Sequence, residues 1–216
     1  MTMQVEVWSD VVCPWCFIGK RRLESALAAE GISDVEVVHR AFQLDPTART
    51  EGQRTVEVLA RKYGMDAAGS AQMMDNVSRV AAGEGLSYRL AETVSGNTEL
   101  AHRVLLWAQD SGRGQELLER LYTAYFEQAE PVFTIDDLLP HVQAVGLDAD
   151  GARAAASDTG EYAQRVRDDL ELARSFGATG VPFFVFDRRY GISGAQPLEA
   201  FVETVRAVQR SDHDVH

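Results

Sequence analysis

The sequence predicts an α/β fold assembled from both ends of the chain, with a large all-helical block inserted between the two halves. Three observations carry this expectation. Strand, helix and strand signals follow one another before Pro46, helical spacings alone occupy the stretch from about Gln53 to Ala156, and strand character returns at Phe183-Phe184-Val185-Phe186 ahead of a terminal helix. The expected units are therefore residues 1–52 with 157–216 as one α/β part and residues 53–156 as the inserted helical one.

Val5 and Val7 alternate with Gln4 and Glu6, a period-2 pattern that ends at Ser9-Asp10 and predicts a strand inside the sheet. After Cys13-Pro14-Trp15-Cys16, residues Phe17, Ile18, Leu23, Ala26 and Leu27 recur at helical spacing until Gly31. Val35 to Phe42 is largely β-branched and predicts a second strand, closed by Gln43-Leu44-Asp45-Pro46. Within the central block, Asn97 is placed to cap a helix from Thr98 to Asp110, and Thr134 with Asp137 resembles a capping box. Pro140 falls inside that second helix, where it is expected to kink or divide it. Gly160 to Phe176 predicts a further helix stopped by Gly177. Phe183 to Phe186 and Tyr190-Gly191-Ile192 then read as a hairpin about Asp187-Arg188-Arg189, and Pro197 to Gln209 as the last helix.

Composition excludes several classes of function. With 45% hydrophobic and 25% charged residues over 216, the chain can build a sizeable core, and disordered or fibrous architectures are ruled out. Lys and Arg number 21 against 33 Asp and Glu, and the net charge of -12 repels nucleic-acid phosphates and anionic membranes. The N-terminus lacks a basic and apolar leader, and no stretch reaches the roughly 18 apolar residues of a membrane span. A cytoplasmic protein is expected. Two cysteines cannot staple a secreted scaffold, so Cys13 and Cys16 are where chemistry is to be sought.

The pair opens a helix directly after a strand. Unpaired N–H groups at a helix N-terminus favour a thiolate over a thiol. Cys13, at the first turn with its sulfur expected to point outward, is the better nucleophile; Cys16, one turn further, is expected to be more buried. Pro14 fits the first helical position because its missing N–H would be unpaired there in any case. The structural alternative is half of a zinc site, but His39, His102, His141, His213 and His216 offer no second ligand pair at short spacing outside the tail. No metal is therefore expected. Thr179-Gly180-Val181-Pro182-Phe183 is the other informative segment, since a proline just before a buried strand calls for an edge or a special bend. Taken alone it reads as an ordinary trans turn.

Together, the early strand, the CxxC that opens a helix, and the late Val-Pro before a hairpin resemble the thioredoxin fold, and the helical insertion resembles the DsbA family. Asp10-Val11-Val12-Cys13-Pro14-Trp15-Cys16-Phe17-Ile18-Gly19, Phe42-Gln43-Leu44-Asp45-Pro46, Gly96-Asn97-Thr98 with Ala101-His102-Arg103, and Tyr190-Gly191-Ile192-Ser193-Gly194-Ala195-Gln196 are similar to its FrnE-like subgroup. The resemblance extends over about residues 4–210. It implies a thioredoxin-like domain in the two end segments and a protein disulfide oxidoreductase with Cys13 as nucleophile and Cys16 as resolving thiol. It also implies a substrate-binding cis-proline loop at Val181-Pro182, while Trp15 inside the motif tunes cysteine acidity and partner contact.

The same superfamily includes 2-hydroxychromene-2-carboxylate isomerases and kappa-class glutathione transferases, which usually have Ser where this chain has Cys13. In these relatives, regions resembling Asn97 and Gly194-Ala195-Gln196 line a thiol-cofactor site. Against that, Asn97 reads as a plain helix cap and Ser193 to Gln196 as a strand-to-helix turn. The leading expectation is an enzyme that reduces, oxidises or isomerises disulfides, with no tightly bound cofactor beyond its redox-active disulfide. Its partners are protein or small-molecule thiols and disulfides, a low-molecular-weight thiol among the candidates, and an electron partner the sequence does not name. The alternatives are a thiol-cofactor-dependent isomerase or transferase and a non-catalytic redox sensor.

Overall fold

In the computed structural model, which describes residues 2–157 and 159–213, the two ends of the chain meet in one sheet. β1 (Met3–Ser9) leads into α1 (Pro14–Ala29) and β2 (Val35–Ala41). The central stretch holds β3 (Gln53–Arg54), α2 (Thr55–Tyr63), α3 (Ala67–Gly83), β4 (Val94–Ser95), α4 (Glu99–Asp110), α5 (Gly114–Tyr122), α6 (Ile135–Ala144) and α7 (Ala149–Ser157). The chain returns through α8 (Glu161–Ser175), β5 (Phe183–Phe186), β6 (Tyr190–Ser193) and α9 (Leu198–His213).

The four-stranded sheet has the order β2-β1-β5-β6, with β1 parallel to β2 and antiparallel to β5. Val5, at the centre of β1, pairs with Val37 on one side and Phe186 on the other. One face packs Met3, Val5, Phe184 and Phe186 against Leu23 and Leu27 of α1 and Phe201, Val205 and Val208 of α9. The other packs Trp8, Phe183 and Val185 against Ala173 of α8 and Ala178. Period-2 alternation suggests that the face carrying Glu6 is solvated, yet Glu6 is buried. Arg40 and Arg188 reach its carboxylate at 2.6 and 2.8 Å, and Arg40 also pairs with buried Asp169 at 3.1 Å. Ionic partners make this burial tolerable.

The central stretch corrects three expectations. It is not wholly helical, because β3 and β4 form a two-residue antiparallel ribbon. Pro140 does not divide α6: the bond it forfeits would have gone to the carbonyl of Asp136, on an exposed turn where water can serve instead. Thr98 rather than Asn97 occupies the cap position of α4, although the Asn97 side chain still accepts the Glu99 amide at 2.9 Å. The Thr134–Asp137 capping box is present, and Gly177 has the left-handed φ of 79° that ends α8. The largest apolar core lies between this stretch and the front of α1, where Phe17 stacks on Tyr122 at 4.9 Å. That contact places the start of α1 where the two parts of the chain meet.

Candidate active site

Cys13 is the cap residue of α1, in an extended conformation with φ -88° and ψ 109°, and Pro14 follows at the first helical position. The Cys13 amide donates to the Asp10 carbonyl and the Cys16 amide to the Cys13 carbonyl, each at 3.0 Å, which closes the turn tightly. Both cysteines are free thiols. Contrary to the outward orientation expected of it, Cys13 is only 3% exposed, as is Cys16. The cause is the Val181 loop: the Cys13 Sγ donates to the Val181 carbonyl at 3.5 Å. Trp15, in contrast, is 38% exposed.

The Val181–Pro182 bond is cis, as the family resemblance implied and the isolated segment did not. Two features hold this loop against α1. A Cβ on Gly19 would come within 3.1 Å of Pro182 Cγ and 3.0 Å of Phe184 Cζ, so glycine at this helical position permits the close approach. The Gly194 amide donates to the Pro182 carbonyl at 2.8 Å, and Gly194 adopts φ 78° to do so. Beyond Gly194, the carbonyls of Ala195 and Gln196 accept from Arg22 of α1 at 2.7 and 3.1 Å, while the Gln196 side chain turns back to Ser193.

Asn97 lies behind the Gln43–Ala48 loop. Its amide donates to the carbonyls of Pro46 and Ala48 at 3.1 and 3.2 Å, and its oxygen accepts from Gln43 and Glu99. A thiol cofactor bound there would have to displace those internal bonds. Leu44 connects the same loop to the dithiol turn by donating its amide to the Asp10 carboxylate at 2.7 Å.

Burial pushes the Cys16 thiol well above its ordinary range, and the adjacent Cys13 sulfur adds to the effect. Cys16 therefore keeps its proton until its chemistry demands otherwise. From the central stretch, the Tyr88 hydroxyl donates to the Pro14 carbonyl at 2.7 Å, and burial holds that phenol far above its usual range. Among the described residues, no group of three or more His, Cys, Asp and Glu side chains is arranged to hold a metal ion. The described helices include none long and apolar enough to cross a membrane.

The sequence reading misses Tyr88 and reads His102, beside Arg103 on a helix of the inserted part, as a hydrogen-bonded structural histidine, whereas neither of its ring nitrogens has a hydrogen-bond partner. Tyr88 sits in a short irregular segment with no motif of its own. The spacing of His102 to Leu105 and Leu106 puts it on the core face of α4, where a histidine needs a partner.

Comparisons with known proteins agree with this geometry. Residues 4–206 match the model of the DSBA-like thioredoxin domain. A probable DsbA oxidoreductase from Streptomyces coelicolor, SCO1869, is 44% identical, with a TM-score of 0.88 over 94% of this chain and 88% of that one. The uncharacterised YwbO of Bacillus subtilis is 27% identical over 97% of this chain and 99% of its own length. The cytosolic disulfide reductase DsbM of Pseudomonas aeruginosa, solved with GSH, has a similar fold, with a TM-score of 0.68 at 17% identity over 96% and 99% of the two chains.

Proposed function

This chain belongs to the DSBA-like thioredoxin domain family, and we propose that it is a thiol–disulfide oxidoreductase working through Cys13-Pro14-Trp15-Cys16. The observation that carries the reading is the meeting of a helix-capping Cys13 with the Val181 carbonyl at 3.5 Å, beside a second thiol held in its protonated form. Cys13 attacks a substrate disulfide, joining one substrate sulfur and releasing the other as a thiol. Cys16 then gives up its proton and attacks the Cys13 sulfur, so the enzyme disulfide forms and the second substrate thiol leaves. The dithiol loses two electrons and the substrate gains them. In the opposite direction the oxidised enzyme accepts electrons from a substrate dithiol. Val181 and Pro182 border the attacking sulfur and form the substrate-binding edge of the site, and exposed Trp15 offers an apolar contact next to it.

The proposed setting is the cytoplasm, and the proposed partners are protein or small-molecule disulfides, with a low-molecular-weight thiol as the source or acceptor of electrons. An insulin-reduction assay with a thiol reductant, together with metal analysis of the purified protein, tests this reading. It expects catalysed precipitation of the insulin B chain by metal-free protein. A rate no faster than that of the reductant alone contradicts it.

A further inference from the structure

α1 carries three basic side chains in a row, and they have different partners. Lys20 and Arg21 both pair with Glu119 of α5, Lys20 at 2.7 Å, and so fasten the helix to the central stretch. Arg22 reaches two other parts of the chain at once. Its Nε donates to Oε1 of Glu84, the residue that closes α3, at 2.6 Å. Its Nη1 donates to the carbonyls of Ala195 and Gln196, between β6 and α9, at 2.7 and 3.1 Å. The Arg22 and Glu84 side chains are largely covered, at 15% and 22% exposed. A planar guanidinium suits this task because it offers donors in fixed, diverging directions, whereas an ammonium is a point charge on a flexible stem. With Lys20 and Arg21 already joining α1 to α5, attachment of the helix does not account for the bonds to the two carbonyls.

Those carbonyls stand next to the loop over the dithiol. The Gln196 amide donates to the Gly194 carbonyl at 3.0 Å, the Gly194 amide donates to the Pro182 carbonyl at 2.8 Å, and the preceding Val181 carbonyl accepts from the Cys13 Sγ at 3.5 Å. We propose that Arg22 is a positioning residue for disulfide exchange: oriented by Glu84, it fixes the Ala195–Gln196 turn and so holds the Val181–Pro182 loop over the Cys13 sulfur. The proposal rests on the exchange reading above and names the residue that sets the position of its substrate-binding edge. It also gives the central stretch a part in the reaction, since Glu84 belongs to that stretch.

Loosening the loop has effects of opposite sign on small reagents and on substrates. Cys13 is 3% exposed under the Val181 carbonyl, so a loosened loop uncovers the sulfur and lets a small alkylating reagent reach it faster. The same loosening removes the fixed edge against which a disulfide substrate lies, so the substrate binds less well. Cys16 is equally buried, but it lies on the core side of α1 with Phe17 and Tyr122, and a loosened loop leaves it covered. Loss of overall structure would instead expose both thiols together.

The test is alkylation of the reduced full-length protein by iodoacetamide, with fragmentation mass spectrometry assigning the label to each cysteine. Steady-state reduction of a small disulfide, driven by a thiol reductant, is measured alongside. Arg22→Met should raise the Cys13 labelling rate by about fivefold or more, the equilibrium worth of a hydrogen bond, and leave Cys16 within about twofold. KM for the disulfide should rise by a similar factor while kcat changes by less than about twofold, the pattern of lost binding. Arg22→Lys should behave like Arg22→Met, because it keeps the charge beside Glu84 and loses the fork. Glu84→Ala should move both readouts in the same direction, and Glu84→Gln, which can still accept from Nε, should restore them toward wild type. Wild-type Cys13 labelling or wild-type KM in Arg22→Met overturns the proposal, as does a rise shared by Cys16, which marks general opening. Should Arg22→Met fail to fold, Glu84→Ala and Glu84→Gln are judged by the same two readouts. A wild-type protein without turnover overturns the exchange reading instead, and Cys13 labelling still decides whether Arg22 holds the loop.

Discussion

The hydroxyl of Tyr88 donates a 2.7 Å hydrogen bond to the carbonyl of Pro14, fastening the helical stretch to the middle of the dithiol turn. The Tyr88 ring also stacks on Phe126 at 4.8 Å, and Phe126 belongs to the same core as Phe17 and Cys16. Packing and hydrogen bonding thus act at one point. The helical stretch is part of the wall of the site.

Tyr88→Phe keeps the stack and loses the hydrogen bond, at an expected cost of about 1 kcal/mol. Tyr88→Ala loses both, at about 3 kcal/mol or more. Urea unfolding of the two variants checks the order, and equal costs would show that the hydroxyl contributes most of the attachment.

Gly19→Val should destabilise the protein by roughly 1–3 kcal/mol, since the new side chain must displace Pro182 or Phe184 from contact with α1. Because the Val181 loop borders the Cys13 sulfur, disulfide exchange should slow as well. Equilibrium unfolding and an exchange assay on one preparation test both effects, and unchanged stability would contradict the packing argument.

Resolution of a mixed disulfide should accelerate by about tenfold per pH unit on the side of neutrality below the raised Cys16 value, where the thiolate fraction is small. The direction follows from burial, which favours the thiol. A second phase that does not change between about pH 6 and 8 would contradict the assignment of Cys16 as a buried resolving thiol.

Glu6 makes a prediction about stability. Burial alone would raise its carboxyl, but Arg188 and Arg40 outweigh burial and hold it below the ordinary glutamate range. The ionised form is thus favoured in the folded protein, and its contribution is full above the unfolded value and lost as pH falls through the lowered folded one. Glu6→Gln should flatten this acid limb in denaturant unfolding below about pH 5, where the unfolded glutamate begins to take up its proton. Arg40→Ala should cost roughly 3 kcal/mol at neutral pH, because Glu6 and Asp169 both lose a partner. A Glu6→Gln protein with the wild-type acid limb would assign that limb to other carboxylates.

The elements around the site were largely legible in the sequence, because β1, α1 and the Phe183 hairpin have clear periodicity and strong punctuation. The cis Val181–Pro182 bond was legible only through resemblance, since no local feature of the segment distinguishes the two isomers. Pairwise tertiary contacts left weaker traces. Glu6 reads as a solvated strand residue until Arg40 and Arg188 arrive from distant positions. Gln53–Arg54 and Val94–Ser95 are too short to show a period. Cys13 is covered by a carbonyl 168 residues away, a fact that no spacing around the CxxC encodes.

The central claim is that Cys13 attacks and Cys16 resolves. The most direct measurement is intact-mass and peptide-mass analysis of the reduced Cys16→Ser protein after incubation with a disulfide substrate, with Cys13→Ser in parallel. The account predicts one substrate thiol joined to Cys16→Ser through Cys13 and reversed by reductant, and neither adduct nor turnover for Cys13→Ser. An unmodified Cys16→Ser protein, or turnover retained by both single variants, would contradict it.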